Sequence, residues 1–254
     1  GHNEIGHNTY LDGAFSMEGF REYFAKALWY KTPTVLLVLL AVGLAFSFIR
    51  KKRVLLLLFA VAVLLVVLAS LSHIHIGIRH VLPVYVLVAP MIGLAISEIF
   101  VRKGLYLVLL AVLGIWLFVD LGRNSPAKLT YFSDVSGGWK MGHRHLIDSN
   151  LDWGQEFDLL ISYMDTHSDR DFIIGYSSGE NLVNRGYQYV GLEELGTNAL
   201  CDGMSDNETL LVSRNVASGL FGPYPCISNK IDQALPLGHT YLIMQPQDFN
   251  QSTD

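Results

Sequence analysis

The sequence predicts a membrane α-helical protein, four transmembrane helices followed by a small extracytoplasmic α/β domain. Three observations lead there. Hydrophobic residues make up 51% of the chain and charged residues only 16%, with a positive mean hydropathy of +0.34; a soluble domain carries more charge. Four runs approach the roughly 20 apolar residues that a bilayer core requires. Charge also divides unevenly: residues 1–121 hold 10 Lys/Arg against 6 Asp/Glu, and residues 122–254 hold 8 against 17. That division suits a membrane part followed by an acidic aqueous domain. It excludes nucleic acid as a partner, which needs clustered basic residues.

In chain order, residues 1–32 form an outer segment. Phe20, Phe24, Leu28 and Trp29 recur at helical spacing, which predicts an amphipathic helix lying at the bilayer surface, with Trp29 and Tyr30 as an aromatic belt. Pro33 suits the first turn of the next helix, where its missing amide proton costs nothing. The region 33–121 then holds the runs Pro33–Ile49, Val54–Ser72, Val81–Phe100 and Gly104–Leu121. The turns "RKKR" (Arg50–Arg53) and "RK" (Arg102, Lys103) are basic, while "HIHIGIRH" between them has one arginine. By the positive-inside rule the basic turns face the cytoplasm of a plasma or inner membrane. The N-terminal segment, the His-rich turn and the C-terminal domain then share the periplasmic or extracellular side.

Residues 122–254 read as the extracytoplasmic domain. It opens on a Gly- and Ser-rich loop and reaches "HLIDSNLDWGQEFDLLISYM" (His145–Met164). Ser149 and Asp152 fit an S-x-x-D capping box, and Leu151 or Trp153 followed by Phe157, Leu160, Ile161 and Met164 fit one helical face. The short apolar runs "DFIIGYS", "TLLVS" and "TYLIMQP" suit strands buried on both faces, hence a partly parallel sheet. The only cysteines, Cys201 and Cys226, lie in this domain. An oxidising compartment would let them pair, although two cysteines give no spacing pattern to test, so free thiols remain the alternative.

Several residues are candidates for chemistry, each beside a plainer reading. Asp148 and Asp152 can cap a helix and complement its dipole, contact a sugar or lipid head group, or hold a divalent cation, the one cofactor this composition suggests. Trp153 beside these acids and the amides of Asn150 and Gln155 favours sugar among the ligand readings. Arg79 and Lys31, at the outer ends of apolar helices, can hold a phosphate or simply snorkel. His73, His75 and His80 begin a zinc pattern that no Cys or carboxylate at suitable spacing completes. His2 and His7 read as loop residues, with a site role for His7 as the alternative. Glu98 and Arg102 are spaced as an ordinary i,i+4 ion pair. The sequons at Asn207 and Asn250 are compatible with chance, and no P-loop, dinucleotide fingerprint, nucleophile elbow or H-E-x-x-H is present.

Four blocks, "GHNTYLDGAFSMEGFREYFAKALWYKTP", "RHVLPVYVLVAP", "YFSDVSGGWKMGHRHLIDSNLDWGQEFDLLISY" and, more faintly, "PLGHTYLIM", occur in this order. Together they resemble the C-terminal half of the GT-C glycosyltransferases that use phospholipid-carried sugars, the group similar to dolichyl-phosphate-mannose protein mannosyltransferases. The resemblance implies an integral membrane enzyme that passes a sugar from a polyprenyl-phosphate carrier to a lipid, glycan or protein acceptor. It implies Lys31 and Arg79 at the carrier phosphate, with His7, Tyr10 and His80 in the adjoining outer segments. Asn150, Asp152, Trp153 and Gln155 become a structural or substrate-facing signature. The family's catalytic acid belongs to an N-terminal half that this chain does not carry, so no catalytic residue is expected here, and the chain is expected to be a fragment rather than a split or decayed relative. The alternative from another class is a non-catalytic membrane protein whose outer domain binds carbohydrate or a partner. A small transporter or channel subunit is disfavoured, because the helices hold almost no polar residue at mid-membrane to line a pathway.

Overall fold

A computed structural model describes residues 8–101, 104–123, 128–177, 181–198 and 200–249. The chain forms two compact units, 1–145 and 146–254. By its contacts the segment 128–145 falls in the first unit.

The first unit opens with a hairpin, β1 (Thr9–Leu11) paired antiparallel to β2 (Ala14–Ser16). Its two-residue turn, Asp12-Gly13, has φ of 49° and 88°, the two left-handed positions that a turn of this twist demands. Helix α1 (Tyr23–Lys31) follows and buries Tyr23, Phe24, Ala27 and Lys31. Trp29 is 52% exposed, and the buried side of the helix packs under the His-rich turn through Tyr23 and Phe24. At Thr32-Pro33 the chain bends by 112° into α2 (Thr34–Ile49).

Helices α3 (Arg53–Ser70), α4 (Pro83–Val101) and α5 (Leu105–Arg123) complete the predicted apolar set. These three are long and apolar enough to cross a membrane, and the bent α1–α2 pair makes up to four candidates. Val35 and Leu39 of α2 pack with Ala95 and Ile99 of α4. The two helices approach closely where Gly43 meets Met91, since a Cβ on Gly43 would overlap the Met91 backbone carbonyl. Large apolar side chains remain outside, among them Val54, Leu57 and Leu68 of α3 and Val108, Ile115 and Phe118 of α5. Glu98 pairs with Arg50 (3.0 Å); Arg102 lies outside the described residues.

The second unit is an α/β fold around a five-stranded mixed sheet of order β4-β3-β5-β7-β6. Its strands are β3 (Asp171–Gly175), β4 (Val190–Gly191), β5 (Glu208–Ser213), β6 (Leu235–Leu237) and β7 (Tyr241–Met244). β3 runs parallel to β4 and β5, and β7 antiparallel to β5 and β6. The three predicted strands are the three central ones, and their unbroken apolar runs are buried on both faces as that pattern requires. Helix α6 (Phe157–Thr166) covers one face with Phe157, Leu160 and Met164. Val216, Ile227 and Leu192 fill the other. Cys201 and Cys226 form a disulfide with Cα atoms 5.3 Å apart.

Candidate functional site

Two polar centres stand out, one in each unit. In the first, the β1–β2 turn carries Asp12 against the turn at Gly142–His145. The Asp12 amide donates to the His145 carbonyl (3.0 Å). Its carboxylate accepts from Lys26 Nζ (2.9 Å), Tyr30 Oη (2.9 Å) and His145 Nδ1 (2.9 Å). The imidazole stacks on Tyr30 at 4.2 Å, and Tyr10 donates to the Arg144 carbonyl (3.4 Å). Burial alone would push the Asp12 carboxyl up, but the hydrogen bonds from Lys26, His145 and Tyr30 outweigh it and hold the group below its ordinary value.

Around this centre the His-rich turn packs on α1. His75 is buried, accepts the Phe20 amide proton at Nδ1 (3.0 Å) and stacks on Tyr23. Burial lowers its pKa, so it serves as a neutral packing residue. Gly19, at φ +77°, is required there because a Cβ would strike the His75 ring. His80 lies against Phe24 with ring centroids 6.1 Å apart, and both it and Arg79 are exposed. Lys31 is turned inward: it is 9% exposed, donates to the Leu129 carbonyl (2.8 Å) and sits 4.0 Å over the Phe132 ring. Of the predicted residues in this unit, Tyr10 joins the Asp12 centre, Arg79 and His80 share the 3₁₀ turn Ile78–Val81, and His7 lies outside the described residues.

In the second unit the segment 148–156 lies at the carboxyl ends of the parallel strands β3 and β5, the edge where open α/β sheets bind ligands. Ser149 and Asp152 do not cap the helix. Asp148–Asn150 form a 3₁₀ turn, Gly154 at φ +80° breaks the chain direction, and α6 starts only at Phe157 with no side-chain cap. Asp148 and Asp152 therefore lie ahead of the helix, too early to cap it, and Asp158 supplies the acid of its first turn.

The polar side chains instead tie the segment to the sheet edge. Asn215, after β5, holds the Asp148 backbone at both ends, accepting its amide proton (2.8 Å) and donating to its carbonyl (3.2 Å). Asn150 donates to the Ile147 carbonyl (3.2 Å). Asp152 accepts from the Gly154 amide (2.7 Å) and from Ser177 (2.6 Å), just after β3. Gln155 accepts from the Trp153 amide and donates to Leu151 O and Thr240 Oγ1. Glu156 Oε2 accepts the amide protons of His239 and Thr240, both at 2.7 Å. Burial, with the charge of Glu156 adding to it, raises the Asp152 carboxyl above its ordinary value. Trp153 is left at the surface, 64% exposed.

Asn150, Asp152 and Gln155 are thus brought together as a lock on the loop, and Trp153 is the member that faces outward. Sequence reading missed Glu156, Ser177, Asn215 and Thr240, the partners of the lock, and Asp12 and His145 in the first unit. Only the Asp12-Gly13 pair carried a local signal, as a turn. Among the described residues no three of His, Cys, Asp and Glu converge as metal ligands. No known family, curated protein or solved structure matches the chain.

Proposed function

We propose that the chain is the carboxyl-terminal portion of an integral membrane glycosyltransferase that passes a sugar from a polyprenyl-phosphate carrier to a lipid, glycan or protein acceptor. One observation carries the reading: the sequence blocks that resemble such enzymes meet one another within each unit. The first block touches the second through Thr32 Oγ1 and Tyr85 Oη (2.8 Å) and through Phe24 and His80. It touches the third through Asp12 and His145 and through the Ser133 amide on Tyr30 O (2.7 Å). In the second unit the third block meets the fourth through Gln155 and Glu156 on residues 239–240. The blocks that carry the resemblance thus include segments up to 134 residues apart that the fold brings into contact.

In this reading α2 to α5 span the bilayer, with the basic turns on the cytoplasmic side, and the Asp12 centre and the second unit lie outside. Arg79, exposed at the head of α4, holds the carrier phosphate and stabilises it as it leaves, with His80 beside it. Lys31 braces Lys128–Phe132 and does not meet the donor. Trp153 offers a ring face to a sugar.

The test is transfer by the complete protein in vesicles supplied with polyprenyl-phosphate sugars. Arg79→Ala raises the apparent KM for the donor at least tenfold, while Lys31→Met leaves it within about twofold; unchanged donor kinetics in Arg79→Ala removes the phosphate role. Absence of transfer from every carrier-linked hexose and pentose tried would refute the reaction. A tag after Asp254 is reached by an impermeant reagent from outside the cell, and its protection would reverse the sidedness.

A further inference from the structure

At the other edge of the sheet from the 148–156 segment, the second unit has a groove of about 550 Å³ between the end of α6, the start of β3 and the turn before β4. Its size falls in the range of sites for small molecules, roughly 300–1,000 Å³, and is too small for a folded partner. Tyr187 and Tyr189 line it beside Gln188, Asp165, Arg170 and Asp171. Both rings pack on the core beneath α6 and β3, so their positions are fixed before any ligand arrives. Tyr187 Oη donates to Asp165 Oδ1 (2.7 Å), and Tyr189 meets Tyr176 edge-on at 6.4 Å. Asn207 Nδ2 holds Asp171 Oδ2 (2.9 Å), and Arg170 Nη1 donates to the Asp206 carbonyl (2.9 Å).

We propose that this groove binds a neutral oligosaccharide of two or three units. Half-buried tyrosine rings offer the apolar faces that sugar C–H groups stack on. Carboxylates accept from pairs of hydroxyls, Gln188 both donates and accepts, and the guanidinium donates. Two carboxylates against one guanidinium disfavour an anion, and the polar lining disfavours a purely apolar ligand. Tethered side chains lose little freedom on binding, which is what a weakly held, heavily hydrated ligand requires. The proposal does not depend on the transfer reaction: it concerns a different edge of the unit and calls for no lipid carrier.

The experiment uses the full chain in phosphatidylcholine nanodiscs, which avoids glycoside detergents, with cellobiose, chitobiose, mannobiose and lactose as probes in saturation-transfer NMR and titration. At least one disaccharide binds with Kd on the order of 1 mM. Tyr187→Ala and Tyr189→Ala each weaken it tenfold or more, and Tyr187→Phe, which keeps the ring, stays within about threefold. Saturation transfer from none of the probes at about 10 mM, equal affinity in Tyr187→Ala while the fold is retained, or binding of a basic peptide in place of every sugar overturns the proposal. Loss of transfer by the complete enzyme with disaccharide binding intact sinks the earlier reading and leaves this one.

Discussion

Replacing Glu156 with Ala should open the lock on the 148–156 segment. The side chain is 6% exposed, and its Oε2 alone receives the amide protons of His239 and Thr240. Gly238, at φ +66°, lets the chain pass close enough for this, since a Cβ there would lie 2.7 Å from Oε2. Thr240 is fully buried, so its orphaned amide bears the cost of a buried donor, about 2–3 kcal/mol. His239 is half-buried, and water recovers part of its loss, leaving about 1 kcal/mol. The sum, about 3–4 kcal/mol, corresponds to opening that is roughly a hundred- to several-hundredfold more frequent. Hydrogen exchange followed by mass spectrometry on a peptide covering 236–244, in the full chain, reads this directly. Glu156→Gln keeps one acceptor oxygen without the charge and should lose about half as much. Exchange less than about tenfold faster in Glu156→Ala would show that water replaces the carboxylate and that the lock lies elsewhere.

Two carboxylates give pH dependences of opposite sign. Asp12 is held below its ordinary value, so its docking of the hairpin is present above about pH 4 and lost as pH falls through the lowered pKa; proteolysis of the hairpin against pH should show this, and Asp12→Asn should flatten it. Asp152 is raised, so its contribution is present below about pH 4 and lost as pH rises through the raised pKa; Asp152→Asn should lessen the fall in thermal midpoint between about pH 4 and pH 7. Removing the disulfide by Cys201→Ser with Cys226→Ser, which opens a loop of sequence separation 25, should destabilise the second unit by about 3 kcal/mol in denaturant titration. Gly43→Val should force α2 from α4 at Met91 and lower the thermal midpoint of the solubilised protein, since overpacking of a close contact costs about 1–3 kcal/mol.

The apolar helices were legible because a long charge-free run has few other uses, and β3, β5 and β7 because strands buried on both faces have unbroken apolar runs. The shorter β4 and β6, at 2 and 3 residues, left no pattern to count. The hairpin had its signal in Asp12-Gly13, but three-residue strands around it hid the alternation. The 148–156 segment was misread because S-x-x-D before an apolar run looks like a helix start. What overrides it is Gly154 and the sheet edge, and the sheet-edge partners Ser177, Asn215 and Thr240 lie 25 to 85 residues away. Likewise Asp12 and His145 are separated by 133 positions, a distance over which one sequence carries no record of contact.

The disulfide encloses β5, the centre of the sheet, within a covalent ring from Cys201 to Cys226. A pulling force applied to the ends of the second unit would cross that ring at the sulfur atoms and leave β5 unloaded. The outer strands would peel while the ring kept its slack, and the oxidised unit would extend by roughly 85 Å less than the reduced one. Tension along the chain thus cannot extend the segment that holds the centre of the sheet until the disulfide is reduced.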